Sequence, residues 1–190
     1  MSGPPAPPLL LASTSPRRRE ILEQLRIPFD VLAPEYEETE GDPVAHAVGK
    51  ARSVLDRADG RPVLGCDTEV ICAGRVYGKA DTAEAAEEML ETLSGETHEV
   101  VSGLALITPA WEEVHQEVTR VTFRLLDARD LASYVASREW EGRAGAYAIQ
   151  GLGASLVERI EGDYLNVVGL PGALLVRLLA ERFAGTYGFG

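Results

Sequence analysis

The sequence predicts an α/β fold, and three observations carry that expectation. Short apolar runs of strand character alternate with stretches whose apolar residues recur at helical spacing, the interleaving typical of α/β proteins. The 190 residues, 45% apolar and 25% charged, have the composition of an ordinary folded domain. No internal repeat and no linker divides them, so one domain is expected over residues 9–184.

Leu9-Leu10-Leu11-Ala12 is a short apolar run between prolines and serines and suits a buried strand. Ser15-Pro16 then opens a helix, serine at the N-cap and proline at the first helical position, with Ile21, Leu22 and Leu25 on its apolar face. Phe29 to Leu32 suits a second strand. The stretch Glu35 to Asp42, with five acidic residues and no basic one, reads as a loop. Val44, Ala47, Val48, Ala51, Val54 and Leu55 fall at helical spacing and predict a helix from Pro43 to about Arg57.

Pro62 to Cys72 is strand-like, followed by a turn around Gly74 and an extended Val76-Tyr77. Asp81 with Glu84 resembles a capping box, opening a helix that carries Ala86, Met89, Leu90 and Leu93 and ends at Gly95. Glu99 to Ile107 and Val114 to Leu125 read as long strands, the alternation of Val121, Phe123 and Leu125 marking the second. Asp127 caps a helix through Val135. A glycine-rich loop, a strand at Ser155 to Ile160 and a helix from about Pro171 to Phe183 complete the order. The Pro-rich start (residues 1–8) and the Gly-rich end (185–190) read as frayed tails.

Composition excludes several classes. A net charge of -12, from 18 basic and 30 acidic residues, opposes binding to DNA or RNA, and aromatics at 6% leave few stacking platforms. A small anion in a local basic pocket stays open. Cys66 and Cys72 form neither a redox pair nor a zinc knuckle, and His46, His98 and His115 are scattered, so a nitrogen- or sulfur-ligated metal is not expected. Two reduced thiols suit a cytoplasmic protein. No apolar run reaches the roughly 18 residues of a membrane span, and the start lacks the basic region of a secretion signal.

Several segments could carry chemistry. Arg17, Arg18 and Arg19 sit in the first helical turn, where the macrodipole disfavours cations and an anion would reverse the balance. They read either as an anion site with Ser13 or as a solvated charge run. Asp67 interrupts the apolar run Val63 to Ile71, so it is paired, hydrated or functional, or ends the strand. Lys50 flanks an apolar helical stripe and could snorkel toward a cleft. Gly78-Lys79 is no P-loop, since Ala73 and Ala80 break the pattern, and Leu156 breaks a dinucleotide fingerprint at Gly151-Leu152-Gly153. The loop Gly145 to Gly153 could bring backbone close to a ligand, with Gln150 able to read a planar ring, or could simply turn the chain. His98 reads as a structural hydrogen-bonder.

Taken in order, Leu11-Ala12-Ser13 with Ser15-Pro16-Arg17-Arg18, Lys50-Ala51, Asp67-Thr68, Gly78-Lys79, Ser94-Gly95 with His98, Ala144-Gly145-Ala146-Tyr147 with Ile149-Gln150-Gly151, and Asn166-Val167-Val168-Gly169-Leu170-Pro171 resemble the Maf family of nucleoside triphosphate pyrophosphatases. The resemblance runs from about Leu10 to Leu179. It implies a mixed twisted sheet with flanking helices, two lobes around a nucleotide cleft, a homodimer, and hydrolysis of nucleoside triphosphates to monophosphate and pyrophosphate with Mg²⁺ or Mn²⁺. Asp67 falls on the family's catalytic aspartate. Ser13, Arg17, Arg18, Lys50 and Lys79 fall on phosphate-handling positions, and Glu38 on the acidic residue that shares the metal with Asp67. Arg17, Thr68 and Gln150 fall on the positions that separate substrate classes.

Three residues depart from the family pattern: Ala80 for proline, Glu69 for valine after Asp-Thr, and Arg143 for lysine. The block Ala146 to Gly151 resembles the branch acting on dTTP and UTP, an activity that would also suit clearing non-standard nucleotides. The alternatives are a 7-methyl-GTP-directed pyrophosphatase and a non-catalytic nucleotide sensor acting on septum formation.

Overall fold

A computed structural model of the chain describes residues 7–39 and 41–189. Most of the Pro-rich start, Glu40 of the acidic loop and Gly190 lie outside the described residues. Among the described residues the architecture is α/β: seven strands in one mixed sheet, ordered β2-β1-β3-β5-β6-β7 with β4 on β3, and six α-helices. The chain forms two compact units, Met1–Asp67 with Ser102–Glu117 and Gly169–Gly190, and Thr68–Val101 with Val118–Val168.

In the first unit β1 (Leu9–Ala12) is buried throughout and pairs in parallel with both β2 (Phe29–Leu32) and the start of β3 (Val63–Cys72). Helix α2 (Pro43–Arg52) lies over this sheet, and Ala47 and Ala51 join Leu10, Ala12, Val63, Ala105 and Ile107 in the core. The helix comes unusually close because small residues face it. A Cβ at Gly65 would meet Ala47 O at 2.1 Å, and one at Gly103 would meet Pro43 O at 2.1 Å.

Asp42 caps α2, its carboxylate accepting from Val44 N and Ala45 N at 3.1 and 3.0 Å. The helix ends at Arg52, short of the expected Arg57. Ser53 Oγ donates to Lys50 O at 2.8 Å, and the chain tightens into a 3-10 turn at Leu55–Arg57. Helix α1 (Pro16–Gln24) starts where Ser15-Pro16 predicts, but the Ser15 side chain makes no capping bond; its N–H donates to Ser13 Oγ instead. Helix α6 (Gly172–Phe183) follows Pro171, and beyond it Tyr187 is buried, donating to Pro7 O at 2.8 Å.

In the second unit β3 turns back into β4 (Arg75–Tyr77) through Ala73 and Gly74, both at positive φ as a tight hairpin requires. Helix α3 (Ala83–Leu93) starts one residue later than the Asp81 box implies, because Thr82 Oγ1 accepts from Ala85 N. Strand β5 (Thr97–Ile107) and β6 (Glu112–Phe123) each begin two residues before the expected start. Asp127 does cap α4 (Ala128–Ser137), with Asp130 completing a capping box. A 3-10 stretch, Leu152–Leu156, leads into β7 (Val157–Glu161), antiparallel to β6. The single-turn α5 (Tyr164–Val168) is too short to leave a periodic signal; it is fixed by Asn166, whose amide donates to Val100 O and Thr119 Oγ1. Among the described residues no helix is long and apolar enough to cross a membrane.

Candidate active site

Asp67 lies within β3, 8% exposed, where a carboxylate needs compensation. Helix α2 supplies it. Lys50 Nζ donates to Asp67 Oδ1 at 2.6 Å, and His46 Nδ1 lies 3.1 Å from Oδ2. His46 and Lys50 are four residues apart, hence one turn apart on one helix face. The close approach of α2 to the sheet puts both within reach of one carboxylate.

Lys50 is not a snorkelling side chain but a buried one, 5% exposed. Its ammonium also contacts Glu38 Oε1 at 2.6 Å, and so bridges two carboxylates. This contact brings Glu38 out of the acidic loop and to the site. Burial disfavours the Asp67 charge, but the Lys50 ammonium, the positive charge of Arg18 and the His46 hydrogen bond outweigh it and hold the carboxyl below its ordinary range.

The turn after β1 belongs to the same unit. Ser13 is buried; its Oγ accepts from Ser15 N at 3.1 Å and from Arg18 NH1 at 3.3 Å. Arg18 Nε donates to Gly169 O at 2.9 Å, and the Cys66 thiol lies 3.5 Å from the same oxygen. The arginine run therefore splits: Arg18 is buried and tied to backbone, Arg17 is half-buried, and Arg19 is exposed.

The remaining candidates belong to the second unit. Thr68 follows Asp67 in β3. Lys79 pairs with Ala144 in an isolated bridge, and Gly145 N donates to Tyr77 O and Gly78 O at 3.0 and 3.1 Å. The hairpin that presents Lys79 is thus fastened to the start of the glycine-rich loop. That loop is buried and tied by hydrogen bonds rather than left open to solvent. Residues 145–149 are buried, Ala148 N donates to Tyr134 Oη at 2.8 Å, and Tyr147 Oη pairs with His98 Nε2 at 2.9 Å. Gln150 follows them, exposed at the end of the buried run. His98 is the structural residue its motif suggests, and burial pushes its pKa down to about 4.

One unit therefore gathers Asp67, Lys50, Glu38, Ser13 and Arg18, and the other holds Thr68, Lys79 and Gln150. His46 is the site residue the sequence reading missed, having counted it among scattered histidines. Its four-residue offset from Lys50 is the signal that could have found it.

The donor chemistry here suits a hard divalent cation. Glu38 and Asp67 already direct oxygens at one shared cation, the Lys50 ammonium. Mg²⁺ takes one or two carboxylates of this kind together with substrate phosphates. Glu69, two residues beyond Asp67 on the same strand, joins His46 and Asp67 as a further set of donors able to hold a metal ion.

Residues 8–182 match the family described as Maf-like protein. A dTTP/UTP pyrophosphatase of Gloeobacter violaceus is 46% identical over 181 residues, covering 91% of this chain and 95% of that protein. Proteins of the same name from Bacillus cytotoxicus and Bacillus cereus are 44% and 43% identical, over 93% and 91% of this chain and 96% and 94% of their own.

Proposed function

The chain belongs to the Maf-like protein family, and from that premise we propose that it hydrolyses dTTP and UTP to the nucleoside monophosphate and pyrophosphate. The relatives named for that activity support the reaction class. The observation that carries the reading within this chain is Asp67, a buried carboxylate kept ionised and gripped at both oxygens.

An ionised, fixed carboxylate is what a general base needs before it meets its water. Asp67 takes the proton, or orients the water, as the water attacks the α-phosphorus. Lys50 holds one Asp67 oxygen and adds positive charge beside it. Arg17, Arg18, Lys79 and Ser13 bind and orient the triphosphate. Arg18 does so from a fixed position, because Gly169 O and Ser13 Oγ hold its guanidinium. Glu38 and Asp67 would hold a Mg²⁺ or Mn²⁺ ion, which when bound acidifies water and neutralises phosphate charge.

Gln150 and Thr68 read the base, the glutamine offering both a donor and an acceptor to the alternating edge of uracil or thymine. Residues 9–184 act as one catalytic domain. The family resemblance further supports a homodimer, and the two free thiols, Cys66 and Cys72, suit the cytoplasm.

The test is a substrate panel of dTTP, UTP, GTP and 7-methyl-GTP with Mg²⁺ or Mn²⁺, all products being identified. The expected result is dTMP or UMP with pyrophosphate, and little turnover of the guanine nucleotides. Preference for 7-methyl-GTP would overturn the substrate assignment. No turnover of any member would favour a nucleotide sensor, and formation of the nucleoside diphosphate with orthophosphate would overturn the bond assignment.

A further inference from the structure

We propose that His46 is a positioning residue for Asp67, fixing the plane of the carboxylate through a hydrogen bond from Nδ1–H to Oδ2 while Lys50 holds Oδ1. The inference rests on the reading of Asp67 as the base, and on four observations.

Asp67 Oδ1 accepts from the Lys50 ammonium at 2.6 Å, and a carboxylate in such an ion pair offers acceptors at both oxygens. With His46 Nδ1 3.1 Å from Oδ2, that oxygen accepts a hydrogen bond from Nδ1–H. Next, Nε2 is buried with no hydrogen-bond partner among the described residues, and the residue is 3% exposed. A helix position packed this tightly is served more cheaply by an apolar side chain, since the unpaired nitrogen loses its hydration without return. The retained imidazole points to a need for its other edge.

The ring is also held in orientation. Tyr36 packs against it edge-on, with centroids 5.9 Å apart, and itself fits into the space left by Gly49, where a Cβ would lie 2.1 Å from the tyrosine ring. Finally, Lys50 alone cannot fix the carboxylate. It meets one oxygen, and about that single contact the group can still swing. A second donor on the other oxygen removes that freedom. Both donors come from one rigid helix, so the carboxylate is set relative to α2 as a body.

The experiment uses three substitutions in the full chain with dTTP. Asparagine places its amide N–H where Nδ1 stands, glutamine reaches only toward Nε2, and leucine has no donor. His46→Leu is expected to lower kcat by about ten- to a hundredfold, the loss that misplacing a catalytic group brings, with KM little changed. His46→Asn should recover most of that loss and His46→Gln little of it. Binding of an α,β-methylene analogue of dTTP should match the parent in all three.

A role in packing alone predicts the reverse ranking, because glutamine fills the ring's volume better than asparagine. Parent-like kcat in His46→Leu, equal rescue by glutamine and asparagine, or a loss confined to KM would each overturn the proposal. If His46→Leu does not fold, the Asn and Gln pair decides alone. Asp67→Asn measured alongside separates the two levels: an active Asp67→Asn removes the base assignment itself, whereas an inactive one beside an active His46→Leu removes only the positioning role.

Discussion

At Asp67 burial and charge pull in opposite directions, and Lys50 decides the outcome. Burial alone would raise the carboxyl; the ammonium at 2.6 Å, with Arg18 and His46, brings it below the ordinary range. A group with a depressed folded pKa contributes stability above its unfolded value, roughly 3.9, and that stability is lost as pH falls through the folded value. Lys50→Met leaves Asp67 buried with its main compensation gone, and removing one partner of a buried pair costs about 3–5 kcal/mol. We expect that variant to melt at lower temperature at neutral pH and to move the acid limb of its kcat/KM profile upward. An unmoved acid limb in a folded Lys50→Met protein would show that Lys50 does not set the Asp67 charge. Arg17→Ala and Lys79→Ala are expected to act differently, on substrate. A charge-assisted hydrogen bond is worth about 1.5–3 kcal/mol, so each should lose at least about tenfold in kcat/KM. Parent-like values across ionic strengths would make either one a solvated surface charge.

Among the elements, α2 matters most, and its position follows from what it lacks. Ala47 and Ala51 on the helix, with Gly65 and Gly103 on the strands beneath, let the backbones meet. Gly65→Ala would place a methyl 2.1 Å from Ala47 O, which is backbone and cannot turn aside. Overpacking of this kind costs about 1–3 kcal/mol, and lifting α2 also draws Lys50 and His46 from Asp67. Both melting temperature and kcat should fall together; a stable variant with parent kcat would show that the close approach is not what positions the donors. Here too lies the boundary of what the sequence conveys. Helical periodicity places α2, and Asp67 stands out as a charge inside an apolar strand. The early end of α2 escapes the pattern because Val54 and Leu55 keep the period while Ser53 diverts the backbone through Lys50 O. The shift of the α3 cap from Asp81 to Thr82 escapes it because aspartate and threonine are both competent caps and only backbone geometry chooses. His46 escapes it because its role depends on a partner 21 residues away on another element.

For the molecule as a whole, the proposed handling of a polyanionic substrate by an acidic chain rests on cations held at defined points within each unit. The net charge of -12 is spread over the sequence, whereas Arg18 and Lys50 are buried at defined points and Lys79 is fixed by a bridged hairpin. Specificity is expected to rest on the buried loop before Gln150. A carboxylate in its place offers acceptors only, which suits the adjacent N–H groups of guanine and leaves the pyrimidine edge poorly matched. Gln150→Glu should therefore lower the ratio of dTTP to GTP turnover, measured as kcat/KM for each; an unchanged ratio would mean that another residue reads the base.

The most direct test of the central claim, that Asp67 drives cleavage of the nucleotide, is the turnover of dTTP by Asp67→Asn with nucleotide binding measured in parallel. The amide keeps the shape of the carboxylate but cannot take a proton and is a poor metal ligand. The expected result is a fall in kcat of about a hundredfold or more with binding largely retained. Near-normal release of dTMP and pyrophosphate by Asp67→Asn would contradict the account.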